Sequence, residues 1–278
     1  MTIRFPGGLR KAVTLSYDDG VEQDVRLMEI LNAHGLKATF NLNSGCYAPP
    51  GLVWPKGQVH RRMTEEAVRA LYVGSGHEVA VHTLTHPDLT DLPRSEMVRE
   101  VLTDRLNLEK LTGGLVRGAA YPFGTFSDAV VDVLRDCGIV YCRTVISSHD
   151  FSIPQDWLRL RPTCHHADPE LMPLTERFLA DPAGWTSRLF YLWGHAYEFE
   201  GSNNWEVIIN WADRISGRDD IWYCTNIEIC DYMAAARSLI PTADGRAVYN
   251  PTAMTVYVQP DMFHEAVEVP SGQLTALA

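Results

Sequence analysis

The chain has 278 residues, 46% hydrophobic and 21% charged, which suits one large domain or two small ones and excludes a disordered or low-complexity protein. Lys and Arg number 24 against 35 Asp and Glu, a formal net charge of −11 that repels phosphate backbones and anionic lipid surfaces, so neither a nucleic-acid nor a membrane partner is expected. No apolar run approaches the ~18 residues of a membrane span, MTIRFPGGLRKAVTLSYDDG contains no apolar signal region, and six cysteines without a C-x-x-C pair read as free thiols, so the expected compartment is the cytoplasm.

Runs rich in Val, Leu, Ile, Tyr and Ala recur at 12–17, 37–43, 78–82, 116–121, 139–145, 158–163, 187–193 and 220–225. They predict buried parallel strands, which lose strict alternation when both faces are covered. Between them, helical patterns run over 23–34, 95–112 and 127–137, stopping at Gly35, Gly113 and Gly138. Asp168-Pro169-Glu170 predicts a helix start, Asn203 with Glu206 a capping box before a helix closed by Gly217, and Asn226 the opening of another. Strand followed by helix, about eight times, predicts an α/β fold. The length suits a (β/α) barrel of seven or eight units. An open doubly wound sheet is the competing architecture, but no G-x-G-x-x-G follows the first strand. Turn signals at Pro241, Asp244-Gly245, Asn250-Pro251 and Ser271-Gly272 predict a small β-rich appendage, giving a barrel over 1–240 and an extension over 241–278 packed on it.

In parallel β/α folds, functional groups collect at the carboxyl ends of strands. There the chain places Asp18-Asp19, then His82 and His86, Pro122-Phe123-Gly124, Arg143, His149-Asp150, His165-His166 and His195. Asp18-Asp19-Gly20 reads either as a turn or as two carboxylates of divergent direction, one for a metal and one for a base. The four-residue spacing of His82 and His86 would put both imidazoles on one face of a helical turn. Two histidines and one carboxylate make a three-ligand set with positions left for water and substrate. His195 reads either as a core histidine or as a general acid, His165-His166 as a polar loop, and His77 as structural.

The ordered combination resembles the polysaccharide deacetylase family, carbohydrate esterase family four. Ser16-Tyr17-Asp18-Asp19 is similar to its first motif, His82-Thr83-Leu84-Thr85-His86 matches its second, Ala120-Tyr121-Pro122-Phe123-Gly124 is similar to its third, and Trp193-Gly194-His195 to its last. The resemblance runs from about residue 11 to 239. It implies a distorted barrel, with Asp18 as general base, Asp19, His82 and His86 as metal ligands, the Phe123 N–H in the oxyanion hole and His195 as general acid. Ala120 stands where the family has an arginine that orients the base; Arg143 is the candidate replacement. For the fourth motif, an Asp near a Trp, Asp150 and Asp156-Trp157 compete.

The function expected from this is a metal-dependent hydrolase, with zinc as the first candidate, that removes an acyl group, N-acetyl first, from an amino sugar or oligosaccharide. A small non-sugar amide or an O-acetyl ester is the alternative within the same chemistry. A different class, a non-catalytic carbohydrate-binding barrel, would use Trp54, Trp157, Trp193 and Trp205 as stacking platforms. The segment 44–62 is expected to shape the substrate cleft.

Overall fold

A computed structural model describes residues 1–182 and 184–277. In chain order its elements are β1 (Thr2–Arg4), β2 (Lys11–Asp18), α1 (Asp24–Ala33), β3 (Thr39–Leu42), α2 (Glu65–Tyr72), β4 (Glu78–Val81), α3 (Arg94–Thr112), β5 (Gly118–Ala120), α4 (Asp128–Asp136), β6 (Tyr141–Arg143), β7 (Cys164–His165), α5 (Leu171–Ala180), β8 (Arg188–Gly194), α6 (Ala196–Gly201), α7 (Glu206–Ile215), β9 (Ile221–Tyr223) and α8 (Asn226–Arg237), followed by β10 (Ile240–Pro241), β11 (Ala247–Tyr249), β12 (Val256–Gln259), β13 (Val267–Val269) and β14 (Leu274–Ala276).

The main sheet is parallel, in the order β6-β5-β4-β3-β2-β8-β7, with β9 also on β2. β2 is buried along its whole length. β8 pairs with it from Lys11 to Tyr17 on one edge, while β9 and β3 share the other edge. The sheet curls until its ends meet. Leu160, on the approach to β7, donates to Cys142 O at 2.9 Å and accepts from Thr144 N at 2.8 Å, which ties that segment to β6. The result is a distorted (β/α) barrel, as expected.

Alternate residues of β2 face two environments. Val13, Leu15 and Tyr17 join the larger apolar cluster, with Leu27, Leu31, Phe190, Ile208 and Trp211 from the surrounding elements. Thr14 and Ser16 instead form a polar ladder. Thr14 Oγ1 lies 2.7 Å from Asn226 Oδ1, Asn226 Nδ2 donates to Tyr191 OH at 2.7 Å, and Ser16 Oγ is 2.8 Å from the same hydroxyl. This face of β2 ends at Asp18, so the period-two alternation itself aims that carboxylate along the polar side. A second apolar cluster joins Ala12, Tyr191 and Leu189 to α8 and to Val248, Val256, Val258 and Val269 of the C-terminal strands. Those strands form two antiparallel sheets, β10-β11-β14 and β1-β12-β13, so the N-terminal strand contributes to the appendage.

Three local expectations are corrected. The 158–163 run is not a strand: Asp156 caps a short 3-10 turn over Trp157–Arg159, Pro162 supplies no ladder N–H, and β7 is confined to Cys164–His165. Asn203 is not an N-cap. It sits at φ 49° in the turn that closes α6, where Asn203 N donates to Glu200 O and Asn204 N to Phe199 O, and Trp205 precedes α7. Asp168 precedes α5 by a turn, accepting from Glu170 N at 2.9 Å. All six cysteines are unpaired thiols. No helix among the described residues is long and apolar enough to cross a membrane.

Glu78 opens β4 inside the barrel, where it accepts from Tyr141 OH at 2.6 Å, Thr39 Oγ1 at 2.7 Å and Ile227 N at 2.8 Å. Burial pushes its carboxyl up to about 7 despite these donors. An acid whose folded pKa is raised favours the native state most below its unfolded pKa of about 4.3 and loses that contribution as pH rises to about 7. Glu78→Gln, which mimics the protonated form, should flatten this pH dependence by on the order of 2–3 kcal/mol, read from urea melts at pH 4.5 and 7.5. A wild-type slope retained in Glu78→Gln would contradict it.

Candidate active site

Strand register brings the candidate residues to one rim. Tyr17 of β2 pairs with Gly194 of β8, so the next residues, Asp18 and His195, lie side by side. Asp18 also pairs with Asn41 of β3, and Leu42 with Val81 of β4, which puts His82 beyond the same level. Ala120 of β5 pairs with Arg143 of β6. A guanidinium therefore comes from the adjoining strand at the same height as the residue where the resembled motif has arginine.

Asp18 is buried. Arg143 Nη2 donates to its Oδ2 and Asn41 Nδ2 to its Oδ1, the latter at 2.7 Å. Burial alone would raise the carboxyl, but the Arg143 charge, with His82 and His195, keeps it below its ordinary value. The Arg143 guanidinium lies over the Trp193 ring, 4.1 Å from its centroid. His195 Nε2 is 3.8 Å from Asp18 Oδ2.

Asp19, His82 and His86 converge, with one ligand atom of each inside a 4.8 Å sphere of mutual distances. Asp19 Oδ1 is 3.9 Å from His82 Nε2 and 4.0 Å from His86 Nε2. A point equidistant from three such atoms lies roughly 2.3–2.5 Å from each, within a few tenths of an ångström of zinc–nitrogen and zinc–oxygen bonds. Protonation supports the fit. His82 Nδ1 is 2.9 Å from Ala120 O, which only accepts, so Nδ1 carries the proton and Nε2 presents a lone pair. That lone pair faces Asp19 Oδ1 and, at 3.8 Å, Asp18 Oδ2. His82 Nε2 donates to neither oxygen; these accept instead from Arg143 and Arg62, and a cation among the three would satisfy its lone pair. Burial pushes His82 down to about 4 and also lowers His86, so both imidazoles are neutral near pH 7. The donor set therefore fits a divalent ion.

His82 and His86 are not on a helical turn. The connection between them is a loop, with Thr83 at φ 66° and His86 at φ 60°, and their ring centroids are 4.8 Å apart. Two carboxylates on α3 hold this loop. Asp104 accepts from His82 N at 3.2 Å and Ser44 N at 2.7 Å, while Glu100 accepts from Thr85 N at 2.8 Å and Thr85 Oγ1 at 3.0 Å. Phe123 sits at φ 57° in the turn after β5, with its ring edge-on to His86 at 4.7 Å. Among the described residues six non-glycines have positive φ, and Asp19, Thr83, His86 and Phe123 are four of them. Such strain collects where surrounding contacts over-determine a functional geometry.

Two further residues come from the segment 44–62. His60 Nε2 is 3.1 Å from Asp19 Oδ2, and Arg62 donates to Asp19 Oδ1 at 2.8 Å and to Asp19 O at 2.7 Å. Burial opposes ionisation of Asp19, yet His60 and the Arg62 charge hold it well below the carboxylate range. Neither residue carries a periodic or motif signal in the sequence. His165 and His166 do not form a detached polar loop: they reach Glu198 at 3.1 and 3.0 Å, beside His195. His77 is structural, bridging Ala38 N and Asn32 Oδ1. Trp157, Trp193 and Trp205 are buried, which removes three of the four proposed sugar-stacking platforms.

Residues 7–142 match the family model described as polysaccharide deacetylase. It is 32% identical over 146 residues to a chitooligosaccharide deacetylase of Sinorhizobium fredii, an overlap covering 51% of this chain and 61% of that protein. It is 29% identical over 125 residues to the peptidoglycan-N-acetylglucosamine deacetylase PgdA of Listeria monocytogenes, covering 44% of this chain and 23% of that one. The chain thus spans about 60% of the length of the chitooligosaccharide deacetylases it matches. In fold it is similar to a polysaccharide-deacetylase-like protein from Mycobacterium smegmatis, with 16% identity, 85% of this chain and 94% of that chain covered, and a TM-score of 0.59. It is also similar to the chitin deacetylase of Colletotrichum lindemuthianum, with 19% identity, 83% and 90% coverage, and a TM-score of 0.52.

Proposed function

We propose that this chain is a divalent-metal-dependent deacetylase that hydrolyses the N-acetyl amide of an amino-sugar oligosaccharide. The observation that carries this reading is the convergence of Asp19, His82 and His86 beside a second buried carboxylate, Asp18, at one rim of the barrel. The saccharide class is taken from relatives named chitooligosaccharide deacetylases. Asp19, His82 and His86 would hold the ion, zinc first by donor chemistry. When bound, it would polarise the acetyl carbonyl and lower the pKa of water.

The chain's own groups supply the rest. Asp18, kept ionised by Arg143, accepts the proton of the attacking water. Asn41 and Arg143 fix the carboxylate plane from both oxygens, which limits the rotation that would cost alignment. The Phe123 N–H, in the strained turn against His86, donates to the carbonyl oxygen as negative charge develops there. His195 Nε2, across from Asp18, delivers a proton to the departing amine. Loop 44–62 places His60 and Arg62 against Asp19 and so borders the pocket a sugar would enter.

Removal and restoration of metal tests this reading. Dialysis against a chelator should abolish acetate release from N,N′-diacetylchitobiose and longer oligomers. Adding one equivalent of a divalent ion should restore it. Undiminished release from protein that is metal-free by elemental analysis would refute the proposal.

A further inference from the structure

His195 is surrounded by groups that can set its proton. Asp18 and Asp19 face it from the end of β2, His165 and His166 from the end of β7, and Tyr197 and Glu198 from α6. Glu198 is bonded most heavily. Its Oε1 is 3.2 Å from His195 Nδ1, its Oε2 is 3.0 Å from His166 Nε2 and 3.1 Å from His165 Nε2, and the His195 backbone N–H approaches Oε2 at 3.4 Å. The two aspartates that competed from the sequence are used elsewhere. Asp150 accepts from Phe151 N and from Ser152, and Asp156 from Leu158 N and Arg159.

Two readings of this cluster compete. His165, His195 and Glu198 offer donor atoms within 4.8 Å of one another, which would suit a second cation. The tautomer of His165 decides against it. Ala167 N donates to His165 Nδ1 at 3.1 Å, so that nitrogen holds the lone pair and Nε2 carries the proton. A protonated nitrogen cannot ligate, but it can donate to Glu198. The same logic applies to His195, whose Nδ1 faces a carboxylate that only accepts when ionised.

We propose that Glu198 is the positioning residue for His195: its carboxylate holds the imidazole in the Nδ1–H form and so presents Nε2 to Asp18 and the substrate. His165 and His166 act through Glu198, clamping its second oxygen so that the first stays on His195. Their ring packing supports a fixed geometry. His166 stacks on Phe199 at 4.0 Å and His165 meets the Trp193 edge at 4.5 Å. Gly194 makes room for this arrangement, because a Cβ there would lie 2.0 Å from His166 Nδ1. The inference rests on the reading of His195 as proton donor, but the hold on its tautomer is measurable by itself.

The test is 15N-histidine NMR of metal-loaded wild type, Glu198→Gln and Glu198→Ala, with deacetylation of a chitooligosaccharide and of an activated aryl acetate measured in parallel. In wild type, neutral His195 should carry its proton on Nδ1. Glu198→Gln should keep the hydrogen bond but lose the charge, lowering the His195 midpoint by about one pH unit or more. Glu198→Ala should release the tautomer and lower amide turnover roughly 10²-fold, while the ester, whose leaving group needs no proton, falls little. An unchanged tautomer and midpoint in both variants would overturn the proposal. A released tautomer with equal losses on amide and ester would uphold the role of Glu198 and remove the acid role of His195. If Glu198→Ala does not fold, the midpoint in the near-isosteric Glu198→Gln decides alone.

Discussion

Asp18→Asn should lower amide turnover roughly 10²–10⁴-fold while leaving the divalent ion in place. The ligand set Asp19, His82 and His86 is untouched by the change, and Asp18 is a neighbour of that set. The magnitude follows from losing the proton acceptor for water. The variant also has a structural consequence that must be measured alongside. Arg143 is buried and pairs with Asp18, so a neutral amide leaves its charge uncompensated, which typically costs about 3–5 kcal/mol. A lower melting temperature together with one bound ion and slow turnover is the expected combination. Wild-type turnover in Asp18→Asn would remove Asp18 from the mechanism.

His86→Ala should remove metal and activity together while the barrel stays folded. His86 is on the rim loop, and its side chain remains 23% exposed. Its ring touches His82 and Phe123 rather than the apolar core. Two remaining ligands hold a divalent ion far more weakly than three, so metal content after dialysis should fall from about one equivalent to near zero. The apo-like melting temperature should equal that of chelator-treated wild type, because the only stability lost is that of ion binding. His86→Ala retaining a full equivalent of ion and full turnover would exclude it as a ligand.

What the sequence made legible follows from which physics is local. β2, β8 and the end of β4 were readable because buried parallel strands are continuous apolar runs, and the polar residues at their ends break those runs abruptly. Helix ends at Gly113 and Gly138 were readable because a left-handed C-terminal residue favours glycine. The His82–His86 pair is legible by its spacing but its geometry is not, since nothing local announces a loop held from outside by Glu100 and Asp104. α6 leaves no period in its six residues, and Asn203 therefore reads as the start of α7 although it lies in the turn that closes α6. His60 and Arg62 reach Asp19 only through the path of loop 44–62, a tertiary fact without periodic trace. Glu198 had a faint signal: it lies one turn after His195, where side chains three apart meet on a helix.

The proposed deacetylation of amino-sugar oligomers at this rim yields acetate and a free amine from the same bond. Its most direct test follows acetate and free primary amine together, with the zinc-loaded protein acting on N-acetylglucosamine oligomers. Equal amounts of both, release that stops with chelator, and loss of release in Asp18→Asn are the expected results. No acetate from any oligomer with any divalent ion, in protein shown to hold one ion at Asp19, His82 and His86, would contradict it.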